Sequence, residues 1–339
     1  MKTPVALITG ITGFVGSHLA EFLLSNTNWT IVGLSRWRSS LDNLESLVSR
    51  IESADRIRLE YGDLRDSLSL NKAVQSSKPD YVFHLAAQSY PLTSFSAPIE
   101  TLDTNVLGTQ RLLDAIRTHS PHSIVHICSS SEVFGRVPKE MVPIRENASF
   151  HPASPYAISK AGTDLIGRFF AEAYKMTVLT TRMFTHTGPR RGDVFAESSF
   201  AKQIALIEND YIEPVIKVGN LDSLRTFADV RDAVRAYFLL VTTNPIAGET
   251  YNIGGSHTCT IGEMLDVLLS MSPRSKQIEI RMDPSRLRPI DADLQIPDTS
   301  KFSAHTGWKP QIPFEQTMKD LLLFWRTRVK SRGFSVLSR

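Results

Sequence analysis

A glycine-rich turn between an apolar run and a helical segment is the feature that most limits how this chain can fold. The segment Thr9-Gly-Ile-Thr-Gly-Phe-Val-Gly16 follows the apolar run Val5–Thr9 near the start of the chain. Here Gly10 allows a tight turn, Gly13 lets backbone N–H groups approach a pyrophosphate, and Gly16 lets the helix pack closely on the strand. A helix N-terminus also attracts phosphate. The segment therefore predicts a dinucleotide site, with a packing turn as the alternative. The expected contacts at this turn are Gly10, Thr12, Gly13, Phe14, Val15 and Gly16.

The rest of the first half alternates apolar runs with segments of helical spacing. Further strand-like runs lie at residues 30–34, 57–61, 81–85 and 123–127. Alternation of this kind implies parallel strands joined by right-handed crossovers, and runs without polar alternation fit strands buried on both faces. We therefore predict an α/β fold: a Rossmann-like, doubly wound parallel sheet with a smaller, discontinuous C-terminal substrate-binding domain.

The pattern changes after about residue 182, where loops and basic segments become frequent. We assign residues 1–182 to the dinucleotide-binding domain, which residues of about 222–245 complete. Residues 183–221 and 246–330 are assigned to the second domain. Residues 331–339 have little periodicity and are expected to form a flexible tail.

Charge and cysteine content exclude several classes of protein. A net charge of +3 over 339 residues gives no electrostatic case for nucleic acid. No apolar run approaches the roughly 20 residues that span a membrane, and the N-terminal run is too short for a secretory signal. The distant cysteines Cys128 and Cys259 fit a reducing compartment. We therefore expect a cytoplasmic protein that contacts neither nucleic acid nor membrane.

The end of the second predicted strand determines which dinucleotide the chain prefers. The segment Gly33-Leu-Ser-Arg-Trp-Arg-Ser-Ser40 has no acid until Asp42. A carboxylate at the strand end would bind a ribose 2′-hydroxyl and repel a 2′-phosphate, whereas Arg36 and Arg38 can pair with that phosphate. We therefore predict NADP rather than NAD. Arginines that line a subunit contact or face water are the alternative.

Further cofactor contacts are expected where the third and fourth strands end. Asp63 can accept a hydrogen bond from the adenine amino group, and the small side chains after residue 84 allow a backbone to lie against a cofactor. His186 is expected to position the cofactor rather than bind metal, because no second His or Cys lies at ligand spacing. The remaining expected contacts are Leu64, Leu85, Ala86, Ala87, Tyr156 and Lys160.

Tyr156 and Lys160 are the candidate catalytic pair. The segment Tyr156-Ala-Ile-Ser-Lys160 places them four residues apart, on one face of a helix. The lysine charge favours phenolate and lowers the tyrosine pKa, so Tyr156 becomes an acid–base group near neutral pH. This spacing is common by chance, but here it follows Ser129-Ser-Ser-Glu-Val-Phe-Gly135, whose hydroxyls can orient the same substrate oxygen.

Together these segments resemble the extended short-chain dehydrogenase/reductase family over nearly the whole chain. Ala86-Ala-Gln-Ser89, Ser130-Ser-Glu132, Gly188-Pro-Arg-Arg-Gly192 and Arg288-Pro-Ile-Asp291 resemble its GDP-mannose 4,6-dehydratase branch. The resemblance implies an NADP-dependent lyase acting on a GDP-linked sugar, in a homodimer or homotetramer. The catalytic residues it implies are Ser130, in place of the usual threonine, with Glu132, Tyr156 and Lys160.

Glu132 separates a dehydratase from the sugar epimerases of this family. Epimerases usually have a small or apolar residue there, whereas a 4,6-dehydratase needs a second base for the C5 proton after Tyr156 has helped to form the 4-keto sugar. GDP-4-keto-6-deoxy-sugar reductases can also carry a glutamate there, so a reductase is the alternative. A purely structural role for Glu132, and a catalytically inactive NADP-binding regulator, are further alternatives.

The resemblance also assigns residues to the substrate. Arg225 and Arg288 are expected at the diphosphate, and Asp291 at the guanine or ribose. The other expected substrate contacts are Gln88, Ser89, Ser131, Thr185, Arg190, Lys202 and Lys217. Thr185 replaces the asparagine usual in this branch. With Trp37 it resembles dehydratases acting on GDP-D-glycero-D-manno-heptose, so this sugar and GDP-mannose are both candidates.

Overall fold

The apolar runs of the first half form the centre of a large parallel sheet in the computed structural model, which describes residues 3–290 and 292–337. The strands in these ranges are β1 (Val5–Thr9), β2 (Thr30–Ser35), β3 (Ile57–Tyr61), β4 (Tyr81–His84), β5 (Ile124–Ser130), β6 (Val178–Met183), β7 (His186–Thr187), β8 (Val215–Val218), β9 (Leu224–Asp229), β10 (Thr250–Ile253), β11 (His257–Thr260), β12 (Glu279–Met282) and β13 (Leu294–Gln295). Seven of them form one sheet in the order β10-β6-β5-β4-β1-β2-β3, with every neighbouring pair parallel. This confirms the predicted doubly wound sheet. The strand order reverses between β1 and β4, where such sheets bind ligands at their carboxyl edge.

Helices cover both faces of the sheet. The α-helices are α1 (Phe14–Asn26), α2 (Val48–Glu52), α3 (Ser67–Ser77), α4 (Pro91–Ser96), α5 (Pro98–Leu102), α6 (Gly108–His119), α7 (Pro155–Tyr174), α8 (Ala196–Glu208), α9 (Val230–Thr242), α10 (Ile261–Ser270), α11 (Ser300–Thr306) and α12 (Phe314–Arg332). Alternate residues of β1 enter different apolar clusters: Ala6 and Ile8 pack with α1, α9 and α11, whereas Leu7 packs with α3, α6 and α7. A strand buried on both faces requires this alternation.

The second domain has a core of its own. Strands β11, β9 and β13 form a small sheet to which β7 adds by pairing with β9, and β12 pairs separately with β8. Apolar side chains of α8, α10 and α12 fill the core behind them, among them Ile204, Leu265 and Leu321. None of the helices in the two described ranges combines the length and apolar character of a membrane span.

Two segments assigned from the sequence to the second domain belong to the first. Strand β10 forms the edge of the seven-stranded sheet beside β6, so this domain extends beyond residue 245. Phe302 of α11 and the following Trp308 are fully buried in the same core as Tyr251. The boundary prediction was wrong here because β10 is a short strand whose partner lies about 70 residues earlier in the chain.

The expected flexible tail was also placed wrongly for residues 331–337. Helix α12 continues to Arg332, and a 3₁₀ turn covers Gly333–Leu337. Val329 is buried in the core of the second domain, and Arg332 donates to the carboxylate of Asp42. These contacts with distant segments order the chain end despite its weak periodicity. Residues 338–339 lie outside the described residues.

Candidate active site

A cavity of about 630 Å³ runs from the glycine-rich turn to the boundary between the two domains. This volume is within the range of about 300–1,000 Å³ that ligand sites occupy. All four predicted catalytic residues line it, as does every predicted cofactor residue except Arg38. The predicted substrate residues that line it are Gln88, Ser89, Ser131, Thr185, Arg225 and Arg288.

The glycine-rich turn has the close approaches expected of a phosphate-binding turn. Gly10 has a φ of +72°, and a Cβ on it would lie 2.9 Å from the backbone of Ala86. A Cβ on Gly16 would lie 2.3 Å from the carbonyl oxygen of Gly10. Helix α1 begins after Gly13 with no side-chain cap and no acidic residue in its first turn. Its first donors therefore face the cavity without a competing carboxylate, which fits a pyrophosphate.

Helix α7 carries Tyr156 and Lys160 into the cavity. The helix begins after Ser154, whose Oγ accepts from the Ala157 N–H at 3.0 Å, and Pro155 occupies its first position. Lys160 Nζ donates to the carbonyl oxygen of Cys128 at 2.7 Å and lies 6.0 Å from the centre of the Tyr156 ring. Ser130 and Tyr156 line the same cavity, and the Ser130 hydroxyl is near enough to lower the pKa of the phenol. The end of β5 and the start of α7 thus bring the predicted hydroxyl, phenol and amine together.

Burial controls the protonation of Tyr156 and Lys160. It raises the pKa of Tyr156 well above its ordinary value, and the nearby Ser130 hydroxyl offsets only part of that rise. Burial also lowers the pKa of Lys160. The expected lowering of the tyrosine pKa by the lysine is not seen in this structure: burial has the largest effect, and the cation that lowers the pKa is Arg191 rather than Lys160.

Glu132 lies where the two domains meet. It follows β5 in the 3₁₀ turn Ser131–Phe134, and its N–H donates to Ser130 Oγ at 3.2 Å. One oxygen of its carboxylate lies 3.6 Å from Arg225 Nη1 and 3.5 Å from Arg288 Nη1. Both distances exceed the usual 2.7–3.2 Å of an N–H···O bond. The carboxylate is thus held by charge in the same cavity as Tyr156, whose pKa it helps to raise after the larger effect of burial.

Two predicted substrate residues lie instead in a second, adjoining cavity of about 370 Å³. Arg190 Nη2 donates to Glu21 of α1 at 2.6 Å, and Lys202 Nζ donates to Asp193 at 2.7 Å. Carboxylates thus engage both cations outside the lining of the main cavity, so the structure does not bring these two together with the other predicted substrate residues.

Three further predicted residues also lie apart from the main cavity. Arg38 lines the second cavity, not the main one. Lys217 on β8 is exposed and lines neither, because alternate residues of the strand point outward while Val218 is buried. Asp291 lies outside the described residues.

Arg191 lines the main cavity but is not among the predicted site residues. Its guanidinium carbon lies 3.5 Å from the ring centre of Phe195 and 5.3 Å from that of Phe14, and its Nε donates to Glu197 at 3.2 Å. The His186 ring stacks on Phe14, and burial lowers its pKa to about 3, so His186 is neutral. The only signal for Arg191 was its place in the Gly188–Gly192 segment.

Arg286 was missed as well. It lines the main cavity with Asn220 and Ser223, and its Nη1 donates to Ser199 at 3.0 Å. Its position two residues before Arg288 in a basic loop was the only available signal. The loop alone does not indicate which arginine turns inward, since that depends on its contact with α8.

The sheet, the glycine-rich turn and the Tyr156–Lys160 pair in one cleft define a protein of the short-chain dehydrogenase/reductase type. Within that class, the chain belongs to the GDP-mannose 4,6 dehydratase family, whose profile matches residues 7–321.

Individual relatives resemble the chain over most of its length. It is 32% identical over 344 residues to the GDP-mannose 4,6 dehydratase of Drosophila melanogaster, covering 95% of this chain and 86% of that one. It is also 32% identical over 324 residues to the GDP-6-deoxy-D-mannose reductase of Pseudomonas aeruginosa, covering 95% and 97%. The solved structure of RMD from Pseudomonas aeruginosa complexed with NADPH superposes with a TM-score of 0.81 at 29% identity, covering 96% of this chain and 100% of that one.

Proposed function

We propose that this chain is an NADP-dependent 4,6-dehydratase, a hydro-lyase, acting on GDP-mannose or GDP-D-glycero-D-manno-heptose. Its family and its named relatives support the dehydratase chemistry and the GDP-linked substrate. The single structural observation that carries the proposal is the shared cavity of Glu132, Ser130, Tyr156 and Lys160. A 4,6-dehydratase needs two acid–base groups at one sugar ring, and this cavity supplies a phenol and a carboxylate.

The end of the main cavity at the glycine-rich turn fits NADP. The open N-terminus of α1 suits the pyrophosphate, Lys160 the nicotinamide ribose and Arg36 the 2′-phosphate. When bound, NADP supplies hydride transfer, accepting a hydride from the sugar and later returning it. The chain's own side chains then have to move protons at C4, C5 and C6.

Tyr156 takes the proton of the C4 hydroxyl through its phenolic oxygen, while Ser130 orients the same sugar oxygen. Because burial keeps Tyr156 protonated, positive charge near the phenol is needed before it can act as a base. Arg191 already acts in that direction, since its charge lowers the pKa of Tyr156.

Glu132 removes the C5 proton, which the neighbouring C4 ketone makes acidic, and passes it to the C6 oxygen as water leaves. As the hydride returns to C6, C5 takes up a proton, which balances the one that Tyr156 took from the C4 hydroxyl. Its partners Arg225 and Arg288 are also the proposed ligands of the substrate diphosphate. A bound diphosphate competes for these guanidinium groups and leaves the carboxylate available to C5. Long ion pairs of 3.5–3.6 Å suit such an exchange, because no short hydrogen bond between those atoms has to break.

The substitution Glu132→Gln tests this assignment. We expect the variant to keep bound NADP but to lose water elimination, as followed by mass spectrometry with GDP-mannose and GDP-D-glycero-D-manno-heptose. Exposed Glu140, eight residues further along the chain, provides the matched control Glu140→Gln, which should turn over normally. Full conversion to the 4-keto-6-deoxy product by the Glu132 variant would refute the role of Glu132 as base.

A GDP-4-keto-6-deoxy-sugar reductase is the second candidate. The reductase from Pseudomonas aeruginosa is covered over 97% of its length, compared with 86% for the Drosophila dehydratase. The two activities differ in cofactor balance. A dehydratase turns over with no net oxidation of NADPH, whereas a reductase consumes one NADPH for each product.

We further infer a homodimer or homotetramer in the cytoplasm. Exposed apolar side chains lie on the neighbouring elements α5, α7 and the π-helical turn Asp103–Leu107, including Ile99, Leu107, Leu165 and Phe169. A patch of this kind on one face favours burial against another subunit. Light scattering of the purified chain tests the oligomer, and a monomer at micromolar concentration would contradict it.

A further inference from the structure

The second cavity borders the main one at the glycine-rich turn. Thr12, Arg36, Ser39 and Arg191 line both cavities. Three segments far apart in the chain form its walls: residues 36–43, residues 190–193 and the last turns of α12. Basic side chains outnumber acidic ones among the lining residues. The second cavity therefore favours an anion next to the proposed cofactor cleft.

Loop 36–40, which carries Arg36 and Arg38, has little local support. Both arginines are exposed, and the turn has one backbone hydrogen bond, from Ser39 N–H to the Arg36 carbonyl oxygen at 3.0 Å. Asn43 Nδ2 donates to the Thr12 carbonyl oxygen at 3.1 Å, which ties the end of the loop to the glycine-rich turn. Apart from the edge contact of the Trp37 ring with Tyr61, 5.7 Å between ring centres, the position of the loop thus depends on what holds residues 42 and 43.

Asp42 is held by the C-terminal helix. Arg328 Nη2 and Arg332 Nη1 donate to the same carboxylate oxygen of Asp42 at 2.6 and 2.8 Å. The hydrogen bond from Arg332 keeps the pKa of Asp42 well below its ordinary value, so the carboxylate is ionised. Without these partners, its charge would repel a 2′-phosphate bound by Arg36 and Arg38. The two guanidinium groups offset the negative charge of this carboxylate.

We propose that Arg328 and Arg332 are positioning residues for cofactor selection: by neutralising and holding Asp42, they make loop 36–40 accept the 2′-phosphate of NADP. The last turns of a helix in the substrate-binding domain then help to set the preference for NADP over NAD. This inference rests on the proposed NADP dependence and is independent of the dehydratase chemistry.

The double variant Arg328→Gln/Arg332→Gln tests the proposal by calorimetric titration of the full chain with NADP and with NAD. NADP affinity should fall by roughly tenfold or more, the change expected when a charge-assisted interaction is lost, while NAD affinity stays within about twofold. The fragments adenosine 2′,5′-bisphosphate and AMP should show the same divergence, because they differ only in the 2′-phosphate. If the double variant does not fold, Arg332→Gln alone keeps the test, since that side chain is 38% exposed.

The matched control is Arg326→Gln on the same helix. Arg326 pairs with Glu208 and lines neither cavity, so its loss should lower thermal stability without changing the NADP-to-NAD ratio. Equal weakening of NADP and NAD in the double variant, or no change in either, would overturn the proposal. Failure of the dehydratase proposal would appear separately, as missing turnover in the unmodified chain with its NADP preference intact.

Discussion

The two ends of the main cavity are built in different ways. At the cofactor end, regular elements place the main residues: Gly13 lies just before α1, and Tyr156 lies in the first turn of α7. At the substrate end, Arg225 and Arg288 come from separate segments of the second domain and meet Glu132 through ion pairs. Regular elements thus position the groups proposed to react, whereas long-range contacts position the groups proposed to select the substrate.

The largest expected effect is at the cofactor end. Tyr156→Phe should lower kcat by about 10²–10⁴-fold, the usual contribution of a general acid–base group, while NADP affinity changes little. Steady-state turnover and titration with NADP measure the two quantities. Tyr174→Phe at the other end of α7 is the matched control, because Tyr174 is half-exposed and outside the cavity. Near-normal kcat in Tyr156→Phe would show that Tyr156 is not the acid–base group.

A smaller effect is expected at the substrate end. Arg288→Gln should raise KM for the GDP-linked sugar by roughly tenfold or more, since a charge-assisted contact is lost, and should leave NADP affinity unchanged. Arg281→Gln on β12 is the control, because Arg281 pairs with Glu279 at the surface. If kcat falls while KM stays constant, Arg288 acts on Glu132 rather than on the substrate, and the contrast between the two ends weakens.

The smallest expected effect is on the pH dependence of folding stability, through buried histidines in the strands next to the cofactor end. Burial lowers the pKa of both His84 and His126 to about 3 from an ordinary value of 6.5. The unfolded chain therefore binds protons below about pH 6.5 that the folded chain does not, so stability falls as the pH drops towards 3. Each histidine should cost on the order of 1 kcal/mol per pH unit within this window.

Urea unfolding at about pH 7.5 and about pH 5.5 measures this loss. Burial lowers the pKa of His18 and His186 in the same direction, and His126→Gln removes one of these four groups, so its stability should depend less on pH than that of the unmodified chain. An unchanged pH dependence in the variant would mean that other groups cause the acid sensitivity.

Several elements could be predicted closely from the sequence. Strands β1 and β3 have the predicted bounds, because apolar runs and local breakers define them. Helix α8 and strand β12 were missed. In β12, all four residues are exposed, so there is no apolar pattern to detect. Its pairing with β8 depends on a segment about 64 residues away.

The sequence by itself determined the glycine-rich turn and the helical spacing of Tyr156 and Lys160, because backbone freedom and the pitch of a helix are local properties. Only the tertiary structure decided the raised pKa of Tyr156, the partners of Glu132 and the pairing of Asp42 with Arg328, 286 residues away. Burial and Coulomb energy depend on distances in space, which local spacing along the chain does not specify.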